Sequence, residues 1–217
     1  MGLYTSHYPF TNLVRKLFFL FIRLYFRPQV TGQEYLPNTG PFIIVANHAS
    51  HVDTAILFCA LPAHLRQGVV AAAARDYFFD QGLRQGVARI LFNAIPVARD
   101  AAEHEDPLRH VIRALDEGYG LLIYPEGTRS PDGSIGPFRR GIGRLIAEFP
   151  TVPLIPAYLN AAAQALPKGG VIPRPYTVQV WFGPQLYLQA QPDDRASWQA
   201  AADAIRAAVL QLAAQAG

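Results

Sequence analysis

Two short polar segments, residues 47–53 and residues 124–130, contain the side chains of this chain that are best suited to chemistry. In the first segment, His48 precedes the carboxylate Asp53 by five residues. A histidine whose second ring nitrogen meets a carboxylate is a common general base. The second segment has a carboxylate, a glycine, a hydroxyl and a guanidinium in succession. Together the two segments predict a general base that faces an anion-binding loop.

These segments resemble motifs of the glycerolipid acyltransferase family, typified by 1-acylglycerol-3-phosphate (lysophosphatidic acid) acyltransferases. Residues 47–53 match the family's first motif, and residues 124–130 match its third. Residues 95–99 resemble the second motif and residues 152–157 the fourth, while residues 138–141 resemble the aromatic–basic step that follows the third. The resemblance implies an α/β enzyme that moves a fatty acyl group from acyl-CoA or acyl-carrier protein to a lysophospholipid hydroxyl.

In such a reaction the acceptor hydroxyl must lose a proton as it attacks the thioester. A positioned base supplies about 10²–10⁴-fold of rate, and His48 is predicted to be that base. Asp53 is predicted to fix the imidazole tautomer and to stabilise the imidazolium. Residues five apart are not neighbours on one helix face, so we expect a strand-to-helix turn to bring the pair together. The chain has no Gly-x-Ser-x-Gly motif, which favours direct attack over an acyl-enzyme.

The second segment is predicted to bind the acceptor. The planar fork of Arg129 suits a phosphate. Gly127 lets the backbone come close, so that its N–H or a neighbouring N–H faces the tetrahedral oxyanion. Glu126 is predicted to orient Arg129 or a glycerol hydroxyl. The predicted acceptor-binding residues are Arg99, Glu126, Gly127, Thr128, Arg129 and Arg139. For the arginines, a surface ion pair is the alternative interpretation.

A metal site is an alternative use of the first segment. His48, His51 and Asp53 form a set of two histidines and one carboxylate. Their spacing matches no established metal motif, and the second segment has no purpose in such a site. We therefore predict no metal and no cofactor, with acyl-CoA or acyl-carrier protein as co-substrate. A metal-dependent hydrolase is the remote alternative.

The elements that must position these residues follow from the hydrophobic pattern. Short β-rich runs at residues 42–46 and 121–124 precede the two polar segments, and further strands alternate with helices. This alternation predicts one α/β domain over residues 31–217, with a mixed, mostly parallel sheet flanked by helices. The other predicted strands are 68–73, 94–97, 152–159 and 177–182, and the predicted helices are 52–60, 82–92, 103–117, 141–149 and 195–214.

Residues 1–30 are predicted to be a separate amphipathic segment whose helix begins near Leu13. Lys16, Arg23 and Arg27 cluster opposite one broad apolar face. At about 16 residues, or roughly 24 Å, the helix is shorter than a ~30 Å hydrocarbon core, so we predict that it lies in the membrane interface. Packing on the domain core is the alternative, and both can hold for different faces. The predicted apolar face comprises Leu13, Val14, Leu17, Phe18, Phe21, Leu24 and Tyr25.

Length and composition set the remaining limits. A chain of 217 residues can bury one sizeable core. The net charge of +3 argues against a nucleic-acid partner. With one cysteine, Cys59, no disulfide can form within the chain.

We therefore predict an acyl-CoA- or acyl-carrier-protein-dependent acyltransferase of phospholipid synthesis. Its expected acceptor is 1-acylglycerol-3-phosphate, and its expected place is the cytoplasmic face of a membrane, as a peripheral or monotopic protein. O- or N-acyl transfer to a non-phosphate lipid is the alternative. Two departures from the family pattern leave the acceptor open: Ala98 stands where many members carry an acidic residue, and Asn160 lies near a position often held by glycine. A silent lipid-binding protein is disfavoured because His48 and Asp53 are both present. The donor, the acyl chain length and the oligomeric state are left open.

Overall fold

The computed structural model describes residues 9–74, 82–97, 106–130, 132–160 and 174–216, which form one seven-stranded sheet with helices on both faces. The strands are β1 (Gln29–Thr31), β2 (Ile43–Ala46), β3 (Val69–Ala74), β4 (Ile95–Val97), β5 (Gly120–Ile123), β6 (Leu154–Asn160) and β7 (Gln179–Phe182). The helices are α1 (Pro9–Phe26), α2 (Asp53–Ala60), α3 (Gly82–Phe92), α4 (Arg109–Asp116), α5 (Gly141–Glu148) and α6 (Arg195–Ala216), and a short 3₁₀ turn spans Gln33–Tyr35.

The sheet has the strand order β1-β7-β6-β2-β5-β3-β4. Strands β6, β2, β5, β3 and β4 run parallel to one another, whereas β7 is antiparallel to β6 and β1 is parallel to β7. Every residue of the central strand β2 is buried, as expected for a strand covered on both faces. The predicted mixed, mostly parallel α/β fold is therefore confirmed.

Two apolar clusters form the core. One contains side chains of α1 and α2 together with one face of the sheet, including Phe19, Phe58 and Ile155. The other contains side chains of α4, α5 and α6 with the opposite face, including Val111, Leu145 and Ile205. The sheet thus lies between two helical layers, an arrangement that leaves its carboxyl-end edge for a site.

Most predicted elements occur within a few residues of their expected bounds, and three differ. The first helix begins at Pro9, four residues before the apolar run, because proline is tolerated in the first helical turn. The helix predicted at 103–117 spans only Arg109–Asp116 among the described residues, and residues 98–105 lie outside them. Strand β1 is not among the predicted strands, because three residues are too few to show an alternation of apolar and polar side chains. It pairs with β7 at the sheet edge.

Helix α1 has two apolar faces rather than the single broad face predicted. Phe19, Ile22 and Phe26 are buried against the core. A second set stays exposed, namely Phe10, Leu13, Leu17, Leu20, Phe21 and Leu24. At 100° per residue, the exposed Lys16 and Arg23 lie between these two faces, and the exposed Arg27 directly follows the last residue of the helix. We call the exposed set and its three flanking cations the α1 outer face.

A buried arginine fixes the position of α1. Arg15 donates to the Asn93 side chain at 2.8 Å and to the Arg66 carbonyl at 3.2 Å, and burial lowers the pKa of Arg15.

None of the helices in the described ranges has the length and apolarity that a membrane span requires. The predicted division at residue 30 falls within β1 and stays a prediction.

Candidate active site

Both polar segments leave the sheet at the same edge. Strands β2 and β5 are parallel neighbours, with Val45 opposite Ile123, so residues 47–53 and 124–130 follow adjacent strand ends. Such an edge is the usual position of ligand sites in α/β folds. The side chain of Asn47 strengthens the edge, because it donates to the Leu159 carbonyl at 3.1 Å and accepts the Leu159 N–H at 2.8 Å.

His48 and Asp53 form the predicted pair. The distance from His48 Nδ1 to Asp53 Oδ2 is 2.8 Å, and Asp53 is the first residue of α2, so the strand-to-helix turn closes the five-residue gap. The same oxygen accepts the N–H groups of Ala49 and Ser50, each at 2.8 Å. Asp53 is fully buried, whereas 22% of the His48 side chain is exposed. The buried carboxylate orients the imidazole and leaves Nε2 as the nitrogen for proton transfer.

The ring of Tyr124 stacks on the His48 imidazole, a contact that sequence reasoning missed. The ring centroids are 4.2 Å apart and the planes differ by 16°. The Tyr124 hydroxyl lies 3.1 Å from Thr54 Oγ1 on α2. Burial, followed by the nearby charge of Asp53, raises the pKa of Tyr124 well above its ordinary value, so the hydroxyl stays protonated at neutral pH. No pattern in the sequence indicates a contact between side chains 76 positions apart.

Glu126 is buried and contacts two backbone amides. Its Oε1 accepts the N–H of His48 at 2.8 Å, and its Oε2 accepts the N–H of Gly136 at 3.1 Å. Burial raises the pKa of Glu126, and these two N–H groups partly offset the effect. The Ser130 N–H in turn donates to the His48 carbonyl at 2.8 Å. The loop that sequence reasoning assigned to the acceptor therefore contacts the backbone of His48 on both sides.

Gly127 allows Arg139 to cross the loop. Its φ of +72° favours glycine, and a Cβ there would lie 2.6 Å from Arg139 Nε. The Gly127 N–H donates to the Tyr124 carbonyl at 3.1 Å, so it closes the turn rather than facing an oxyanion. Facing the oxyanion with a neighbouring N–H stays a prediction. Thr128 and Arg139 are exposed and Arg129 is half-buried, while Arg99 lies outside the described residues.

The metal alternative has no cluster to support it in this region. Within the ranges that the structure describes, no group of three or more His, Cys, Asp or Glu side chains is arranged to hold a metal ion.

Comparison with known proteins is consistent with this geometry. A family model described as Acyltransferase matches residues 27–160. A chloroplastic 1-acyl-sn-glycerol-3-phosphate acyltransferase from Brassica napus is 28% identical over 147 residues, which cover 67% of this chain and 40% of that protein. The 1-acyl-sn-glycerol-3-phosphate acyltransferase of Pseudomonas aeruginosa is 32% identical over 172 residues, which cover 76% of this chain and 61% of that protein. The chain thus spans about half the length of these relatives.

A solved structure has the same fold. The crystal structure of the 1-acyl-sn-glycerophosphate (LPA) acyltransferase PlsC from Thermotoga maritima superposes with a TM-score of 0.70. The match covers 94% of this chain and 81% of that one, at 23% sequence identity. At this identity the similarity establishes the α/β fold and its N-terminal helix, and no more.

Proposed function

Because the chain belongs to the Acyltransferase family, we propose that it transfers a fatty acyl group to the free hydroxyl of a lysophospholipid. The proposed donor is acyl-CoA or acyl-carrier protein, and the proposed acceptor is 1-acylglycerol-3-phosphate. The observation that carries the proposal is the His48–Asp53 pair at 2.8 Å, placed beside the arginine-containing loop of residues 124–130. The names of the Brassica napus and Pseudomonas aeruginosa relatives support this acceptor.

The proposed reaction needs one proton to move. His48 Nε2 takes the proton of the acceptor hydroxyl as its oxygen attacks the thioester carbonyl. The new C–O bond gives a tetrahedral oxyanion, and its collapse breaks the C–S bond. The leaving thiolate then takes the proton from the imidazolium. Throughout these steps the buried carboxylate of Asp53 stabilises the imidazolium and keeps Nδ1 protonated.

The acceptor phosphate is proposed to lie at the arginine side of the loop. Arg129 and Arg139 supply guanidinium groups, which bind phosphate through paired N–H donors. Arg139 passes directly over Gly127, and the exposed Thr128 adds a hydroxyl beside them. Arg99 is proposed to add a further cation.

The membrane surface is the proposed place of this reaction. The α1 outer face combines six exposed apolar side chains with three exposed cations. This combination fits a helix that lies in the interface of an anionic leaflet. We therefore propose a peripheral or monotopic protein at the cytoplasmic face.

The test is an acyl transfer assay with purified protein and labelled donors. Acyl-CoA and acyl-carrier protein are each offered with two acceptors of equal chain length, 1-acylglycerol-3-phosphate and monoacylglycerol, which differ in the phosphate. Expected are transfer to the phosphorylated acceptor, much slower transfer to the other, and none by the His48→Ala variant. Faster transfer to monoacylglycerol would instead favour a non-phosphate acceptor. A lack of transfer with every pair would refute the proposed function.

A further inference from the structure

Three contacts hold His48 in addition to its bond with Asp53, and all three come from residues 124–130. We propose that Glu126 and Tyr124 are positioning residues for the catalytic histidine. Glu126 fixes its backbone, Tyr124 fixes its ring, and Glu126 is not a ligand of the acceptor. The inference rests on the proposed function for the role of His48. It departs from the sequence-based prediction, which placed Glu126 at the acceptor.

The two carboxylate oxygens of Glu126 serve different segments of the chain. Oε1 accepts the His48 N–H, and Oε2 accepts the Gly136 N–H. The segment at Gly136 is itself anchored on α6, because Arg206 donates to the carbonyls of Ile135 and Gly136 at 2.8 and 2.7 Å. Glu126 therefore links the backbone of His48 to a fixed part of the domain.

The surroundings of Glu126 leave little room for a substrate hydroxyl. The residue is only 8% exposed. The backbone of Gly136 packs against Oε2, since its N–H donates to that oxygen at 3.1 Å and an added Cβ would lie 3.2 Å from it. Each oxygen keeps a second lone pair, but the 8% exposure of the residue leaves a glycerol hydroxyl little open surface from which to reach it. Backbone positioning is thus the role that the contacts support.

Tyr124 restrains the imidazole in the direction perpendicular to the ring plane. Asp53 holds one edge of the ring, and the parallel Tyr124 ring, 4.2 Å away, covers one face. The Tyr124 hydroxyl is joined to Thr54, the residue after Asp53, so the stacking ring is attached to the same helix as the carboxylate. A base must be held to about 0.5 Å and 10–20° for efficient proton transfer, and these contacts supply that restraint.

Steady-state kinetics of matched variants test the proposal. In Glu126→Gln, one amide oxygen can still accept an N–H, but the amide NH₂ must face the other backbone donor. We expect kcat to fall at least about tenfold, with the KM for 1-acylglycerol-3-phosphate within about twofold of wild type. Tyr124→Leu should behave in the same way, and Tyr124→Phe, which keeps the ring, should recover most of that loss. The comparison variant Arg129→Lys should change mainly the acceptor KM.

Thermal unfolding of each variant identifies a loss of fold. If Glu126→Gln does not fold, Glu126→Asp, which keeps the charge and shortens the reach, is measured in its place, with the same expectation for kcat and KM. A rise in acceptor KM at unchanged kcat for the Glu126 variant would overturn its positioning role. Equal kinetics of Tyr124→Leu and Tyr124→Phe would overturn the role of the ring.

A measurement without substrate separates this proposal from the proposed function. A parallel aromatic ring shields the imidazole protons of His48 in the NMR spectrum. The shielding should persist in Tyr124→Phe and disappear in Tyr124→Leu. If wild-type protein transfers no acyl group but the shielding follows this order, the proposed function fails while the positioning contact stands. Shielding unchanged in Tyr124→Leu would refute the contact itself.

Discussion

Reversing the charge of the α1 outer face should weaken membrane binding without weakening the fold. The variant is Lys16→Glu/Arg23→Glu/Arg27→Glu. All three side chains are exposed, and exposed substitutions usually change the free energy of unfolding by no more than about 0.5 kcal/mol each. The same cations lie along the border of the exposed apolar side chains, where they would meet lipid headgroups.

The number of cations removed determines the expected loss of affinity for anionic vesicles. A cation near an anionic leaflet contributes about 1 kcal/mol, so removal of three costs about 3 kcal/mol. Since 1.4 kcal/mol corresponds to a tenfold change in an equilibrium constant, vesicle affinity should fall by roughly 100-fold at low salt, and repulsion by the new carboxylates adds to this. Salt screens surface charges over about 10 Å at 0.1 M, so the difference should shrink as salt is added.

The apolar part of the α1 outer face should contribute a term that salt does not weaken. Leu17 is 59% exposed and Leu24 is 68% exposed. Full burial of a leucine is worth about 1.5–3 kcal/mol, so each should contribute about 1–2 kcal/mol in the interface. Leu17→Gln/Leu24→Gln should therefore reduce binding at low and at high salt. The matched control is Ile22→Ala on the buried face, which should lower the unfolding temperature and leave vesicle binding intact.

Flotation on anionic and neutral vesicles, at low and high salt, measures these effects, and thermal unfolding is recorded for every variant. Equal flotation of the charge-reversed variant and the parent would refute membrane docking by this face. A lower unfolding temperature with unchanged flotation would mean that these residues serve core packing instead.

The other predictions concern the site, cofactor dependence and one ion pair. In the proposed transfer assay, His48→Ala should abolish turnover while circular dichroism shows a folded protein. Asp53→Asn should cost somewhat less, because the shape survives but the carboxylate that faces Nδ1 is lost and the imidazole tautomer is no longer set. Arg129→Lys keeps the charge without the fork and should raise the acceptor KM more than the donor KM; equal effects would indicate a structural arginine. Prolonged chelation should leave turnover unchanged, and loss restored by zinc or iron would indicate a metal site. Arg144 lowers the pKa of Asp106 through a hydrogen bond, so this pair stabilises the fold at pH values above the ordinary carboxylate pKa and less as the pH falls through the lowered one. Asp106→Asn should therefore lower the unfolding temperature at pH 7 by an amount worth about 1 kcal/mol or less, and less so in acid.

The contact between His48 and Asp53 could be predicted from the sequence because it depends on neighbouring residues of the chain. His48 and Asp53 are five residues apart, and a strand end followed by a helix start brings them together through backbone geometry alone. The sheet was predictable for a related reason, since apolar β-rich runs that alternate with helices indicate the parallel arrangement. The exception, β1, is a three-residue strand whose pairing with β7 depends on tertiary contacts.

The roles within residues 124–130 could not be predicted in the same way. A carboxylate beside arginines suggests an ion pair or a ligand, yet Glu126 pairs with backbone N–H groups of residues 48 and 136. Backbone donors have no signature in a sequence, because every residue except proline has one. The buried face of α1, at Phe19, Ile22 and Phe26, was left out of the predicted apolar face for a similar reason: a helical projection locates apolar side chains but does not tell which of them meet the core.

The carboxyl end of α1 lies at the same edge of the sheet as the candidate active site. Phe26, its last residue, accepts the N–H of Val178, which directly precedes β7. Strand β7 begins where β6 ends, with Gln179 opposite Asn160, and Asn47 bonds to Leu159 at that same end. The carboxyl end of α1 therefore reaches the sheet edge from which His48 extends. Because Phe19, Ile22 and Arg15 fix the helix to the core, membrane docking of the α1 outer face would fix the orientation of this edge relative to the lipid surface. Under the proposed function, an orientation that brings this edge close to the lipid surface would let a lysophospholipid reach the imidazole without moving far from the membrane.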